Sequence, residues 1–405
     1  MNARPALSLL FSLISSNALA ATFTVPSPVD TVDALPGDGI CADIAGICTL
    51  RAAVLEANAL PGPDVILISV DRVTLRIPGR GEDAAWTGDL DVTEDLMVMP
   101  ATAGFRPIID AASLDRIWHV ETDASLSLTM LQMIKGQAYD STQPVNYGGG
   151  ILIESVIDPV TLMPTWPLLT MDGCVLLNNF VTGNLNTHGG GLAALGGDAM
   201  VLNSELNTNG VNGYGGGIYT NASAVLDFMK STATQNRAKY GGGLSTSGST
   251  NLYVATISNN TATAIGGGVY SANEAAWIDY SVLHNNRSAS FGGGLFAAAS
   301  LIATTNSTYS TNQSGRGGGV ASRSSTIDFL HATIHRNRAT VQADSGGVWA
   351  DPPSVLTAAN TVLARNNGGT AADCAATFTS NGGNFVGFVG TTTACIGFGA
   401  PFDQL

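Results

Sequence analysis

A run of three glycines recurs along most of this chain, and its spacing restricts the fold more than any other feature. Triplets begin at Gly148, Gly189, Gly215, Gly241, Gly266, Gly292 and Gly317, with a degenerate copy at Ser345-Gly346-Gly347. From Gly189 the steps are 26, 26, 25, 26 and 25 residues. A fixed period of this length marks a stacked repeat.

The rest of each repeat keeps the same register. An aliphatic residue follows each glycine run: Ile151, Leu192, Ile218, Leu244, Val269, Leu295, Val320 and Val348. An asparagine stands before the next run: Asn179, Asn209, Asn236, Asn260, Asn286, Asn312, Asn337 and Asn366. Three residues before it the column is mostly apolar (Leu176, Leu206, Ala233, Ile257, Leu283, Tyr309, Ile334, Leu363), and five before it the column is small (Cys174, Ser204, Ser231, Ala255, Ser281, Ser307, Ala332, Thr361). Between them lie Val, Thr or Glu. This two-residue alternation predicts a strand with one buried face.

Such a repeat is too short for a strand–helix unit that keeps this alternation. It fits one coil of an all-β, right-handed parallel β-helix, a solenoid of short strands and tight turns. Eight coils at strand spacing give a trunk of roughly 40 Å. Glycines supply turns that a Cβ would block. The asparagines are expected to take a left-handed turn conformation and to hydrogen-bond from coil to coil. A TIM barrel would need longer helices than the sequence shows.

Taken in order, residues 1–20 read as a secretory signal: Arg4, an apolar run from Ala6 to Ile14, and Ala18-Leu19-Ala20 as a cleavage site. The run is too short to span a bilayer, and no later stretch qualifies. Residues 21–63 read as an N-terminal cap. In it Thr49 N-caps an amphipathic helix with Leu50, Ala53, Val54 and Ala57 on one face, and Pro61-Gly62-Pro63 ends that helix. Its expected role is a lid over the first coil. Residues 64–147 read as irregular early coils, 148–368 as the regular trunk and 369–405 as a C-terminal cap. Ile157 to Pro167, with Met163 and Trp166, reads as a protruding insertion.

Cys41 and Cys48 near the start, and Cys374 and Cys395 near the end, read as two disulfides stapling the ends of an exported protein. Zinc would need four clustered ligands, and neither pair has histidine neighbours. Cys174, in the small inward column, reads as a buried, inert thiol.

The segment from Cys48 to Asn58 resembles the CSLREA motif that opens many secreted bacterial β-helix proteins. It departs from that motif at Thr49, which replaces Ser, and by an alanine in place of Glu. Pro36-Gly37-Asp38-Gly39, Gly88-Asp89-Leu90-Asp91-Val92, Asp115-Arg116-Ile117 and the Ser380 to Asn384 segment also resemble that family. The glycine–asparagine repeat resembles, more loosely, polymorphic outer-membrane proteins. The resemblance implies export and a pectin-lyase-like right-handed β-helix, and it implies no particular reaction. A chain ending soon after Cys395 leaves no room for a membrane barrel, so a self-contained autotransporter is not expected.

Charge limits the partners. The chain has 17 Lys+Arg against 31 Asp+Glu, a net charge of −14, with Lys135, Lys230 and Lys239 its only lysines. This argues against nucleic acid and anionic membranes. A monomer without cofactor or bound metal is expected.

For catalysis, the densest acidic group is Asp89, Asp91, Glu94 and Asp95, read as a solvated early coil. Asp227, Asp279 and Asp328 recur in alternate coils but with loose alignment. Among His119, His188, His284, His331 and His335, the pair His284 and His335 share one outward column, separated by Ser310. Arg237, Arg287 and Arg338 follow the asparagine in alternate coils and read as surface charge. An aromatic stripe follows each post-glycine aliphatic: Tyr219, Tyr270, Phe296 and Trp349, in a column with Leu152, Ala193, Ser245 and Ala321. These four rings are expected to project outward and to form a ligand-binding edge for neutral glycans. The functional expectation is therefore a surface or extracellular binding protein engaged in adhesion or glycan contact. A polysaccharide lyase or glycosidase is the alternative, and a structural envelope component a third.

Overall fold

The computed structural model describes residues 20–121, 123–139, 145–157, 162–183, 186–341, 344–369, 372–387 and 395–405. The signal read in residues 1–20 lies, except for Ala20, outside them, as do residues 158–161 of the insertion.

The chain winds into a parallel β-solenoid of about 10 turns. One coil shows the plan. Gly215–Gly217 lead into Ile218–Thr220, a longer strand follows at Ala224–Met229, then Thr232–Thr234, the ladder residue Asn236, and Arg237–Tyr240 before the next glycines. Each strand pairs in parallel with its counterpart one coil on, as Ile218 does with Leu244 and Thr232 with Thr256. The post-glycine face can be followed back past the first triplet, through Ile151–Glu154 and Trp118–Val120 to Leu90–Val92.

The alternation read in the sequence has the expected cause. Leu176, Leu206, Ile257, Leu283, Tyr309 and Ile334 fill the interior. The glycines are required by close packing of turns. Gly241 adopts φ +63°, and a Cβ on Gly242 would stand 2.5 Å from the carbonyl oxygen of Gly267 in the next coil.

The asparagine ladder is buried throughout the trunk. Asn286 accepts at Oδ1 from the backbone N–H and the Nδ2 of Asn260, both at 3.0 Å, and its own Nδ2 donates to the Ile257 carbonyl (2.8 Å) and to Asn312 Oδ1 (3.1 Å). The left-handed conformation, however, belongs to the residue before it. Asn178, Thr208, Gln235, Asn259, Asn285, Thr311, Arg336 and Arg365 carry positive φ, and the ladder asparagines do not. The turn thus aims the following side chain inward, where its amide satisfies backbone groups that the turn leaves unpaired. Asp373 closes the ladder by accepting from both nitrogens of Asn366.

At the N-terminal end a short helix packs against the first strands. Helix Leu50–Ala59 begins at Thr49, whose side chain accepts from the Ala52 N–H, and its apolar face is buried. Arg51 is fully buried: Nε pairs with Asp30 at 2.7 Å, and its guanidinium donates to the carbonyls of Ala85, Gly88 and Asp89. Cys41–Cys48 and Cys374–Cys395 are disulfides, and Cys174 is a buried free thiol. Met163 and Trp166 are exposed on the insertion. No helix among the described residues is long and apolar enough to cross a membrane.

Candidate functional site

One outward column of the post-glycine face carries two kinds of chemistry. In register it reads Asp91, His119, Leu152, Ala193, Tyr219, Ser245, Tyr270, Phe296, Ala321 and Trp349. Its early end is a carboxylate beside an imidazole, and the rest is the aromatic stripe.

At the early end, alternation places Glu121 two residues beyond His119, and Glu154 two beyond Leu152, on the same outward face. The result is a cleft of about 390 Å³ whose walls include Arg80, Asp83, Asp115, Arg116, His119, Glu121, Tyr139, Tyr147 and Glu154. Asp89 and Asp91 lie behind it, both buried. His119 is buried as well. Its Nδ1 stands 3.3 Å from Asp91 Oδ1, 3.2 Å from Glu121 Oε1 and 4.0 Å from Asp83 Oδ1, while Nε2 stands 3.7 Å from Glu154 Oε2. Arg116 pairs with Asp89 at 3.2 Å. The lid reaches this layer directly, since Arg51 holds the Gly88 and Asp89 carbonyls and Asn58 donates to the Asp91 carbonyl.

These environments shift the ionisable groups. Burial alone would lower His119, but Asp91 and Glu154 beside the ring push it up to about 9. Burial, reinforced by the charge of Asp89, raises Asp115 to about 7. Glu154 is held below its ordinary value, chiefly by His119.

The reading of Asp89, Asp91, Glu94 and Asp95 as one solvated group therefore needs correction. Glu94 and Asp95 are exposed, whereas Asp89 and Asp91 are buried behind the cleft. The period-two pattern of Leu90-Asp91-Val92 beside that of Trp118-His119-Val120 was the available signal. It was hidden because the glycine motif that fixes register begins only at Gly148.

The aromatic stripe points out of the solenoid interior, as expected, but is not a free edge. A second row at Tyr147, His188, Tyr214, Tyr240 and Phe291 folds over it. His188 stacks on Tyr219 at 4.5 Å, Tyr214 on Tyr240 at 4.5 Å and Tyr270 on Phe296 at 5.8 Å. Phe296 is only 2% exposed, and Tyr219, Tyr270 and Trp349 are half-buried. Arg316 caps Phe291 and Trp349, tethered by Asp344 at 2.9 Å. Ring faces are thus largely turned to one another, so the four rings do not form the open platform expected of them. Burial in this row lowers His188 to about 4.

The remaining candidates stay apart. Asp227 and Asp328 share a column interrupted by Asn251, Trp277 and Ala303, and Asp279 falls in another, beside Tyr253 and Thr305. His284 and His335 flank Ser310 as predicted. His331 has a left-handed backbone at the end of a neighbouring strand. Arg237, Arg287 and Arg338 are exposed, with Thr261 and Gln313 between them.

The chain matches no protein-family model, no curated protein and no solved structure at a significant level.

Proposed function

We propose that this is an exported glycan-binding β-solenoid whose ligand site is the early-coil cleft. The supporting observation is the convergence there of charged hydrogen-bonding side chains with two tyrosines, Tyr139 and Tyr147. A sugar presents hydroxyls that both donate and accept, and an apolar ring face. Carboxylates and guanidinium groups suit the hydroxyls, and a tyrosine ring suits the face. The acidic surroundings and a net charge of −14 favour neutral over anionic saccharides. Export is supported by the reading of residues 1–20, by the disulfides and by the resemblance to the CSLREA family, to which we assign the chain on its Cys48 to Asn58 segment.

The test is a glycan array on purified mature protein beside its Glu154→Gln variant. The reading expects retention of neutral oligosaccharides by the parent and a loss of about tenfold or more in the variant. No glycan bound by the parent would sink it. A second reading, polysaccharide cleavage, draws on Asp115, Glu121 and Glu154 facing one cleft around His119. Release of new reducing ends or unsaturated products from a bound glycan would establish it.

A further inference from the structure

His119 is enclosed in a way that hydrogen bonding does not explain. Its side chain is 5% exposed, yet neither ring nitrogen makes a hydrogen bond. Asp91 is fully buried, and its Oδ2 accepts from the Ala85 N–H at 2.6 Å. Its Oδ1 is left without a hydrogen bond and lies 3.3 Å from His119 Nδ1. A buried polar atom without a hydrogen bond costs about 1–3 kcal/mol, and a cation at Nδ1 would both engage the ring and sit against the Asp91 charge.

From these contacts we infer that His119 Nδ1 and Glu121 Oε1, with Asp83 Oδ1 at the mouth, form a binding site for a divalent transition cation such as Zn²⁺ or Mn²⁺.

The spacing fits. Ligands about 2.0–2.2 Å from a four-coordinate metal stand roughly 3.3–3.6 Å from one another. The oxygens of Glu121 and Asp83 lie 3.2 and 4.0 Å from His119 Nδ1. The ligand atoms of Asp83, His119 and Glu121 all fall within 4.8 Å of each other, while Asp89 and Asp91 form a separate group with the ring behind them.

The surroundings fit as well. A metal-bound histidine usually offers its other ring nitrogen to a carboxylate, which fixes the ring. Here Nε2 faces Glu154 Oε2 at 3.7 Å. Charge points the same way: the carboxylates of Asp83, Asp91, Glu121 and Glu154 crowd one imidazole, and Arg116 is engaged by Asp89. A nitrogen among the ligands favours Zn²⁺ or Mn²⁺ over Ca²⁺, which prefers oxygen alone. Asp83 is 63% exposed, so the site opens to solvent on one side, where an ion can enter and a further ligand can bind. None of this depends on the glycan reading.

The test titrates metal-free mature protein with ZnCl₂, MnCl₂ and CaCl₂ in separate calorimetric runs. One Zn²⁺ or Mn²⁺ per chain is expected, with Ca²⁺ at least about tenfold weaker. His119→Gln should weaken the preferred ion at least about tenfold, and Asp83→Asn by a smaller factor. Asp83 is mostly exposed, so its variant decides the matter if His119→Gln fails to fold, as judged by circular dichroism. Absence of Zn²⁺ and Mn²⁺ binding at millimolar concentration would overturn the assignment. So would binding untouched by Asp83→Asn and His119→Gln, or Ca²⁺ bound as tightly as the others.

Discussion

The coils before Gly148 and those after it are built on the same strands, yet they solve different problems with the same positions. In the trunk, the outward column of the post-glycine face holds Tyr219, Tyr270, Phe296 and Trp349, and a second row of rings closes over it. In the early coils the same column holds Asp91 and His119, walled by Glu121 and Glu154. The trunk stabilises itself by repetition: every coil offers its neighbour a glycine turn and an asparagine. The early coils lack that repetition, and a buried arginine of the lid braces them instead. The regular region is thus the scaffold, and the irregular one carries the charged chemistry.

The largest effect is expected where the lid meets the early coils. Arg51→Met removes the ion-pair partner of the buried Asp30 side chain, leaving it only the Arg76 and Ile77 N–H groups, and three carbonyl contacts, and should cost about 3–5 kcal/mol. Hydrogen exchange should rise around Leu90–Val92 before it rises in the trunk. Uniform loss of protection along the whole chain would show that the two regions are not separable.

In the trunk the corresponding weak point is the ladder. Asn286→Leu keeps most of the volume but orphans the Asn260 N–H and the Ile257 carbonyl, at about 2–4 kcal/mol. An unchanged denaturation midpoint would mean that the ladder is ornamental. Phe296→Ala should cost about 2–3 kcal/mol in the same measurement, because its ring is buried against Tyr270. Little or no loss would restore the open-platform view of the stripe.

The trunk was legible because its period makes each column visible many times. The glycine turns, the asparagine ladder, the inward columns and both disulfides followed from spacing and from residue type. The early coils offered no such averaging. Asp91 and His119 are 28 residues apart, in unlike surroundings, and nothing local announces that they are neighbours on adjacent strands. The second aromatic row was missed for a different reason. Tyr214, Tyr240 and Phe291 stand beside the glycines in the turns, where the two-residue alternation says nothing about which way a ring folds. The left-handed residue of the ladder turn was assigned one place late, since asparagine suits that conformation wherever it stands.

A small effect is expected at Cys174. Burial raises its thiol to about 11, and Ser204 and Ser231 fill the same column in the next coils. Native protein should resist a thiol reagent that labels the unfolded chain, and Cys174→Ser should change stability by less than about 1 kcal/mol. Rapid labelling of folded protein would contradict the register of this column.

The division of labour between the two regions is tested most directly by calorimetry with one neutral oligosaccharide that the parent retains. Its affinity is compared across the parent, a Tyr147→Ala/Glu154→Gln cleft variant and a Tyr270→Ala/Phe296→Ala trunk variant. Each variant is checked for folding by circular dichroism. The account predicts that the cleft variant loses at least about tenfold in affinity, while the trunk variant is less stable but binds as the parent does. Parent-like affinity in the cleft variant, with loss in a folded trunk variant, would contradict it.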